Sequence, residues 1–111
     1  MATANLERSR WHAYFDDMAR KTLGNQVCLE TADREFGNRR ESDWLPLAGI
    51  TYDPKSDVLE VVTDTLDHLI AHPSAISIDY DVEGLHTVSV TDGEGRHEII
   101  RLKEPAPLPA P

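Results

Sequence analysis

The chain has 111 residues, of which 40% are hydrophobic and 28% charged, as is typical of a single folded globular domain. The formal net charge is −9, and residues 56–111 hold eleven acidic but three basic side chains. Such a surface repels nucleic-acid phosphates and anionic lipids, so we predict neither a nucleic-acid partner nor a membrane partner. The sequence has no apolar run as long as a membrane span or signal peptide, and Cys28 has no second cysteine to pair with. These features predict a cytoplasmic protein.

The first predicted element is an amphipathic helix between Ser9, its expected N-cap, and Gly24, its expected stop. Acidic side chains on the polar face argue against a membrane-surface helix, so we expect the apolar face to pack across a sheet. The apolar residues recur at steps of three and four: Trp11, Tyr14, Phe15, Met18, Ala19 and Leu23.

After residue 24 the apolar pattern changes to a period of two, which is typical of strands. A polar loop from Asp33 to Asp43 interrupts the pattern. The turn signals "DPKS" and "DGEG" join neighbouring strands closely, which predicts an antiparallel sheet. The predicted strands cover residues 25–32, 44–52, 57–63, 75–82, 85–92 and 97–102.

A short second helix is predicted for residues 65–72, ending before Pro73. On that helix Asp64, His68 and His72 would stack on one face at steps of four residues. Histidine and carboxylate groups in this arrangement suit zinc or another divalent ion. A solvated polar face is the favoured explanation for the same residues. A metal site would need a further ligand, for which His86 and His97 are candidates if the fold brings them close.

The segment "DYDVEG" partly matches a calcium-binding EF-hand loop. Asp79, Asp81, Glu83 and Gly84 fall on its first, third, fifth and sixth positions. The twelfth position, which should be a bidentate glutamate, is Val90, and the residues before it alternate as a strand. We therefore predict polar residues on the outer face of a strand and no calcium site.

The polar loop before the second strand is the candidate contact surface, because long loops often carry function. Arginines pair well with acidic groups, and aromatic side chains are common at interfaces. Neutralisation of the neighbouring acidic residues is the favoured role for these arginines, and a contact role is the alternative. The candidate partner-binding residues are Arg34, Phe36, Arg39, Arg40 and Trp44.

The motifs of common enzyme classes are missing from the sequence. There is no glycine-rich phosphate loop and no G-x-S-x-G nucleophile elbow. Cys28 lies within a predicted strand without a local feature that marks a catalytic thiol. We predict no catalytic residue and no cofactor.

Four segments together resemble a family of small bacterial proteins, domain-of-unknown-function family 5335: "RWHAYFDDMARKTLG", "DWLPLAGITYDPKSDVLEV", "LDHLIAHPSAISIDYD" and "GLHTVSVTDGEGRHEIIRL". The likeness covers roughly residues 8 to 103. It implies a bacterial, cytosolic, stand-alone domain and supplies no activity, cofactor or catalytic residue to carry over.

We predict an α+β fold in residues 1–103, followed by a Pro-rich, extended and unpacked tail in residues 104–111. The fold has five or six antiparallel strands, the N-terminal helix and the short second helix. The predicted function is a non-catalytic interaction or binding module for a protein partner or a second copy, contacted through the polar loop or an open sheet edge. The alternative is a protein that binds a divalent metal or a small ligand through Asp64, His68 and His72. This alternative includes a hydrolytic enzyme that uses the same three residues.

Overall fold

The computed structural model describes residues 1–33, 37–40 and 43–109; for residues 33 and 37–40 the description is limited to the backbone. These residues form one α-helix, α1 (Trp11–Lys21), a 3₁₀ turn before it (Arg8–Arg10), and nine strands. The strands are β1 (Ala2–Leu6), β2 (Gln26–Asp33), β3 (Gly37–Arg40), β4 (Leu45–Asp53), β5 (Val58–Thr63), β6 (Asp67–Ala71), β7 (Ala75–Asp81), β8 (Gly84–Thr91) and β9 (His97–Ala106).

The described strands pair antiparallel in the order β1-β7-β8-β9-β2-β4-β5-β6. One edge of β2 pairs along its length with β9, whereas the other edge is divided. Its first residues pair with β4 and its last residues with β3. The predicted antiparallel sheet with an N-terminal helix is confirmed, and the number of strands is larger than predicted.

Helix α1 packs its apolar face onto β4, as its sequence period predicts. Trp11, Tyr14, Phe15 and Met18 are buried, and the Trp11 ring meets Tyr52 edge to face at 5.2 Å. Both predicted helix ends differ from the structure. Arg10 is the N-cap, without a side-chain capping bond, and the helix ends at Lys21. The exposed Leu23 therefore lies outside it, in the turn that Gly24 completes at φ +83°.

The predicted second helix is wrong, because its residues form strand β6, which pairs with β5. Ile70 is fully buried whereas its neighbour Leu69 is 59% exposed, as expected for alternating faces of a strand. The spacing of the apolar residues fits a helix turn, but so short a helix gains little from its own hydrogen bonds. Pairing with β5 satisfies the same backbone groups and still buries Ile70.

Strands β1 and β3 were also not predicted. β1 pairs with β7, and its small residues, such as Ala2 and Ala4, carry a weak apolar signal. β3 lies inside the segment predicted as a polar loop, where it pairs with the end of β2. Both segments are strands because their backbones pair with a neighbouring strand, β7 for β1 and β2 for β3, and not because of the polarity of their side chains.

The beginning of the predicted tail continues β9 to Ala106, which is buried against β8. Ala106 is paired with Leu85, and a Cβ atom on Gly84 would collide with the Ala106 carbonyl oxygen. Gly84 therefore permits the close approach that packs this part of the chain. Pro109, further on, is buried as well, so the prediction of an unpacked tail is wrong for these residues.

Two substitutions at adjacent positions test the assignment of β6. We expect Ile70→Ala to lower the free energy of unfolding by about 2–5 kcal/mol, because it opens a cavity in the core. Leu69→Ala is the matched control and should change it by less than about 0.5 kcal/mol, because Leu69 lies on the exposed face. Urea unfolding followed by circular dichroism measures both values. Equal losses for the two variants would favour the helical arrangement, in which Leu69 and Ile70 share a face.

Candidate functional site

The structure does not bring Asp64, His68 and His72 into one site. Asp64 lies in the turn between β5 and β6, where it is exposed. The Nε2 atom of His68 lies 2.9 Å from Glu98 Oε1 on β9, and the Nδ1 atom of His72 lies 3.3 Å from Asp57 Oδ2. Each histidine thus has a carboxylate of its own, which explains both residues without a shared metal ion.

His72 belongs to a polar network that joins the β4–β5 turn to the end of β6. Tyr52 donates a hydrogen bond of 2.6 Å to Asp57, and Arg8 donates to Asp57 and to the carbonyl of Pro73. Asp57 and His72 both have left-handed backbone conformations, with φ of +56° and +52°, which are uncommon for residues other than glycine. A backbone hydrogen bond from His72 to Asp57 links the two strained positions directly.

The network also changes the pKa values of its members. The hydrogen bond from Tyr52 is the main factor that lowers the pKa of Asp57, and the contacts with His72 and Arg8 act in the same direction. Burial and the hydrogen bond to Asp57 raise the pKa of Tyr52. Asp57 is therefore a carboxylate, and Tyr52 a protonated donor, at neutral pH.

Among the described residues, Asp81, Glu83 and His86 form one group with three possible metal ligands, whose ligand atoms lie within 4.8 Å of one another. The group contains two acids of the incomplete calcium motif and one of the two further histidines considered above. Asp81 accepts hydrogen bonds of 2.8 Å from the His86 ring and from the backbone N–H of Glu83, and the His86 bond lowers its pKa. These bonds brace the β7–β8 turn, which is a sufficient structural role for the group.

The predicted partner-binding residues are described in part. Arg34 and Phe36 lie outside the described residues. Arg39 and Arg40 lie on β3, opposite the second half of β2, and their side chains are not described. Trp44, directly before β4, is 36% exposed. A partner-binding role for this segment stays a prediction.

An apolar pocket of about 680 Å³ lies between β1, β7, the start of α1 and the C-terminal residues. This pocket is not among the predicted sites, because the sequence predicts neither β1 nor a packed C-terminal segment. It is lined by Ala4, Asn5, Leu6, Glu7, Arg10, Tyr14, Ile78, Tyr80, Leu108 and Pro109.

Tyr14 is the buried polar residue of this pocket. Its side chain is 6% exposed, and its hydroxyl has no hydrogen-bond partner within the described part of the chain. Burial, aided by the charge of Asp17, raises the pKa of Tyr14 to about 12. The hydroxyl is therefore protonated at neutral pH and can donate a hydrogen bond.

Residues 2–111 match a protein family of unknown function, DUF5335. The chain belongs to this family. It is 39% identical over 110 residues to an uncharacterized protein of Aquifex aeolicus (strain VF5), an alignment that covers 98% of this chain and 99% of the relative. No solved structure matches the chain. Within the described residues of this DUF5335 protein, no helix is both long and apolar enough to cross a membrane.

The Asp57 network predicts how stability responds to acid. Because the pKa of Asp57 is lower in the folded than in the unfolded protein, its stabilising effect is present above the ordinary carboxyl pKa. The effect is lost as the pH falls through the folded-state value. We expect Asp57→Asn, which tolerates the left-handed backbone, to be less stable at pH 7 and to lose less stability than the wild type on acidification.

Urea unfolding at pH 7 and at about pH 3 measures this difference. Asp64→Asn is the control, because this carboxylate is exposed in a turn and should leave the pH dependence unchanged. An Asp57→Asn variant with the wild-type dependence on pH would contradict the role assigned to the network.

Proposed function

We propose that this protein is a non-catalytic binding module that holds a small, largely apolar molecule in the pocket beside Tyr14. The volume of about 680 Å³ falls within the range of roughly 300–1,000 Å³ that is typical of small-molecule sites. Most of the lining is apolar, with a few polar groups, which is the usual composition of such sites. A cytoplasmic location remains part of the proposal.

The unpartnered Tyr14 hydroxyl is the observation that carries the proposal. A buried hydroxyl without a hydrogen bond costs about 1–3 kcal/mol relative to a paired one. Phenylalanine would fill the same space on α1 without this cost. A ligand with an oxygen acceptor at this position would accept the hydrogen bond and recover the lost energy.

The composition of the lining favours binding over catalysis. Its titratable groups are Glu7, Arg10, Tyr14 and Tyr80. Histidine, cysteine and serine are not among the described lining residues, which therefore include no histidine-activated serine or cysteine nucleophile. This composition supports a site that retains its ligand unchanged.

The polar segment from Arg34 to Trp44 remains a candidate for a separate protein contact or for self-association. That prediction is independent of the pocket for the described part of the segment, because β3 and Trp44 do not belong to the elements that form the pocket.

Tyr14→Phe tests the role of the hydroxyl. A suitable probe is Nile red, a neutral apolar dye with a carbonyl acceptor, whose fluorescence is followed on titration with protein. The variant should bind the dye about 3- to 10-fold more weakly, because one hydrogen bond is lost. The unliganded variant should be as stable as the wild type, or more stable, in thermal unfolding. A variant that is less stable but binds the dye normally would assign the hydroxyl to folding instead.

Ala4→Phe tests the location of the site. Ala4 lines the pocket, and a phenyl group there should occupy the ligand volume and reduce Nile red binding at least tenfold. Thr3→Phe is the matched control, because Thr3 precedes Ala4 on β1 and is not part of the lining. Equal dye binding by both variants would place the apolar site elsewhere and overturn the proposal.

A further inference from the structure

Arg10, at the N-cap of α1, lines the same pocket and is the starting point for naming the ligand class. The side chains of five arginines are described, and four of them form ion pairs with carboxylates: Arg8, Arg20, Arg96 and Arg101. The side chain of Arg10 forms no such pair with any described residue, although the sequence holds 20 acidic residues against 11 basic ones. In so acidic a protein, an arginine without a carboxylate partner among the described residues is unexpected.

Arg10 and Tyr14 lie four residues apart and both line the pocket, so they lie on one face of the chain at the start of α1. Arg10 is exposed, whereas the Tyr14 hydroxyl is buried. The pocket is thus lined by the Arg10 side chain near solvent and by Tyr14, whose hydroxyl is buried, both beside an apolar wall. A carboxylate has acceptor oxygens for both donors, and a guanidinium group binds it strongly.

We propose that the ligand is an apolar monocarboxylate, with its carboxylate held by Arg10 and Tyr14 and its hydrocarbon part against Leu6 and Ile78. This inference rests on the proposed binding function and specifies the ligand. The apolar part explains the wall of the pocket, and the carboxylate supplies the partner that Arg10 and Tyr14 lack among the described residues.

Glu7 limits the charge of the ligand. It also lines the pocket and is exposed, close in sequence to Arg10. A dicarboxylate or a phosphate monoester would bring a second negative charge toward Glu7 and toward the net charge of −9 on the whole chain. A single carboxylate neutralises Arg10 without adding that repulsion, so the monoanion is favoured.

Isothermal titration calorimetry of the full chain with decanoate and decanamide tests the inference, because the two probes differ mainly in charge. Both are used below the concentration at which decanoate forms micelles. We expect decanoate to bind about tenfold more tightly than decanamide to the wild type. Arg10→Gln should remove this preference while leaving decanamide binding unchanged. Glu7→Gln should strengthen decanoate binding by about 2- to 5-fold, because it removes a like charge.

Arg20→Gln is the matched control, because Arg20 lies near the other end of α1 and pairs with Asp17. This variant should keep the wild-type preference for decanoate. Equal binding of decanoate and decanamide to the wild type would overturn the carboxylate inference and leave the apolar pocket as a binding site. If neither probe binds, and Nile red does not bind either, the proposed function itself fails.

Discussion

The packing of α1 on the sheet is the interaction on which the rest of the structure depends. Four large side chains of this single helix enter the core, and Trp11 meets Tyr52 of β4 edge to face. The chain has two tryptophans and seven aromatic residues in total, so the helix supplies a large part of its bulky apolar volume. The same helix face directs Tyr14 to the pocket. Folding and the candidate binding site therefore share one buried surface.

A second set of contacts fixes the approach to the helix. Arg8 stacks on the Trp11 ring at 4.4 Å and also bonds to Asp57 and to the Pro73 carbonyl. Arg8 thus ties the beginning of α1 to two turns of the sheet. Cation–π and ion-pair contacts at a partly exposed position are individually weak. Their combined effect is to fix the orientation of the segment that carries Glu7 and Arg10 to the pocket.

Some elements could be predicted from the sequence because local pattern and tertiary environment agree. The apolar face of α1 follows a helical period, and β5 and β7 alternate between the two faces of the sheet. For β6 the local pattern and the tertiary environment disagree. Leu66, Leu69 and Ile70 have helical spacing, but the segment forms a strand because it pairs with the open edge of β5. No pattern within eight residues contains that information. The interpretation of His68 and His72 as neighbours on one face failed for the same reason, because it depended on the predicted helix.

The pocket could not be predicted because its walls come from opposite ends of the chain. β1 contributes small side chains, and the C-terminal residues contribute Leu108 and Pro109 from a Pro-rich segment that resembles an unpacked tail. Gly84 lets Ala106 approach β8 closely, and the residues that follow Ala106 reach the pocket. Within the sequence, Tyr14 is the residue that hints at the pocket. Its apolar neighbours on the helix face are all suited to a hydrophobic core, whereas its hydroxyl requires a hydrogen-bond partner. A polar group on an otherwise apolar helix face is therefore the feature of this sequence that points most directly to a binding site.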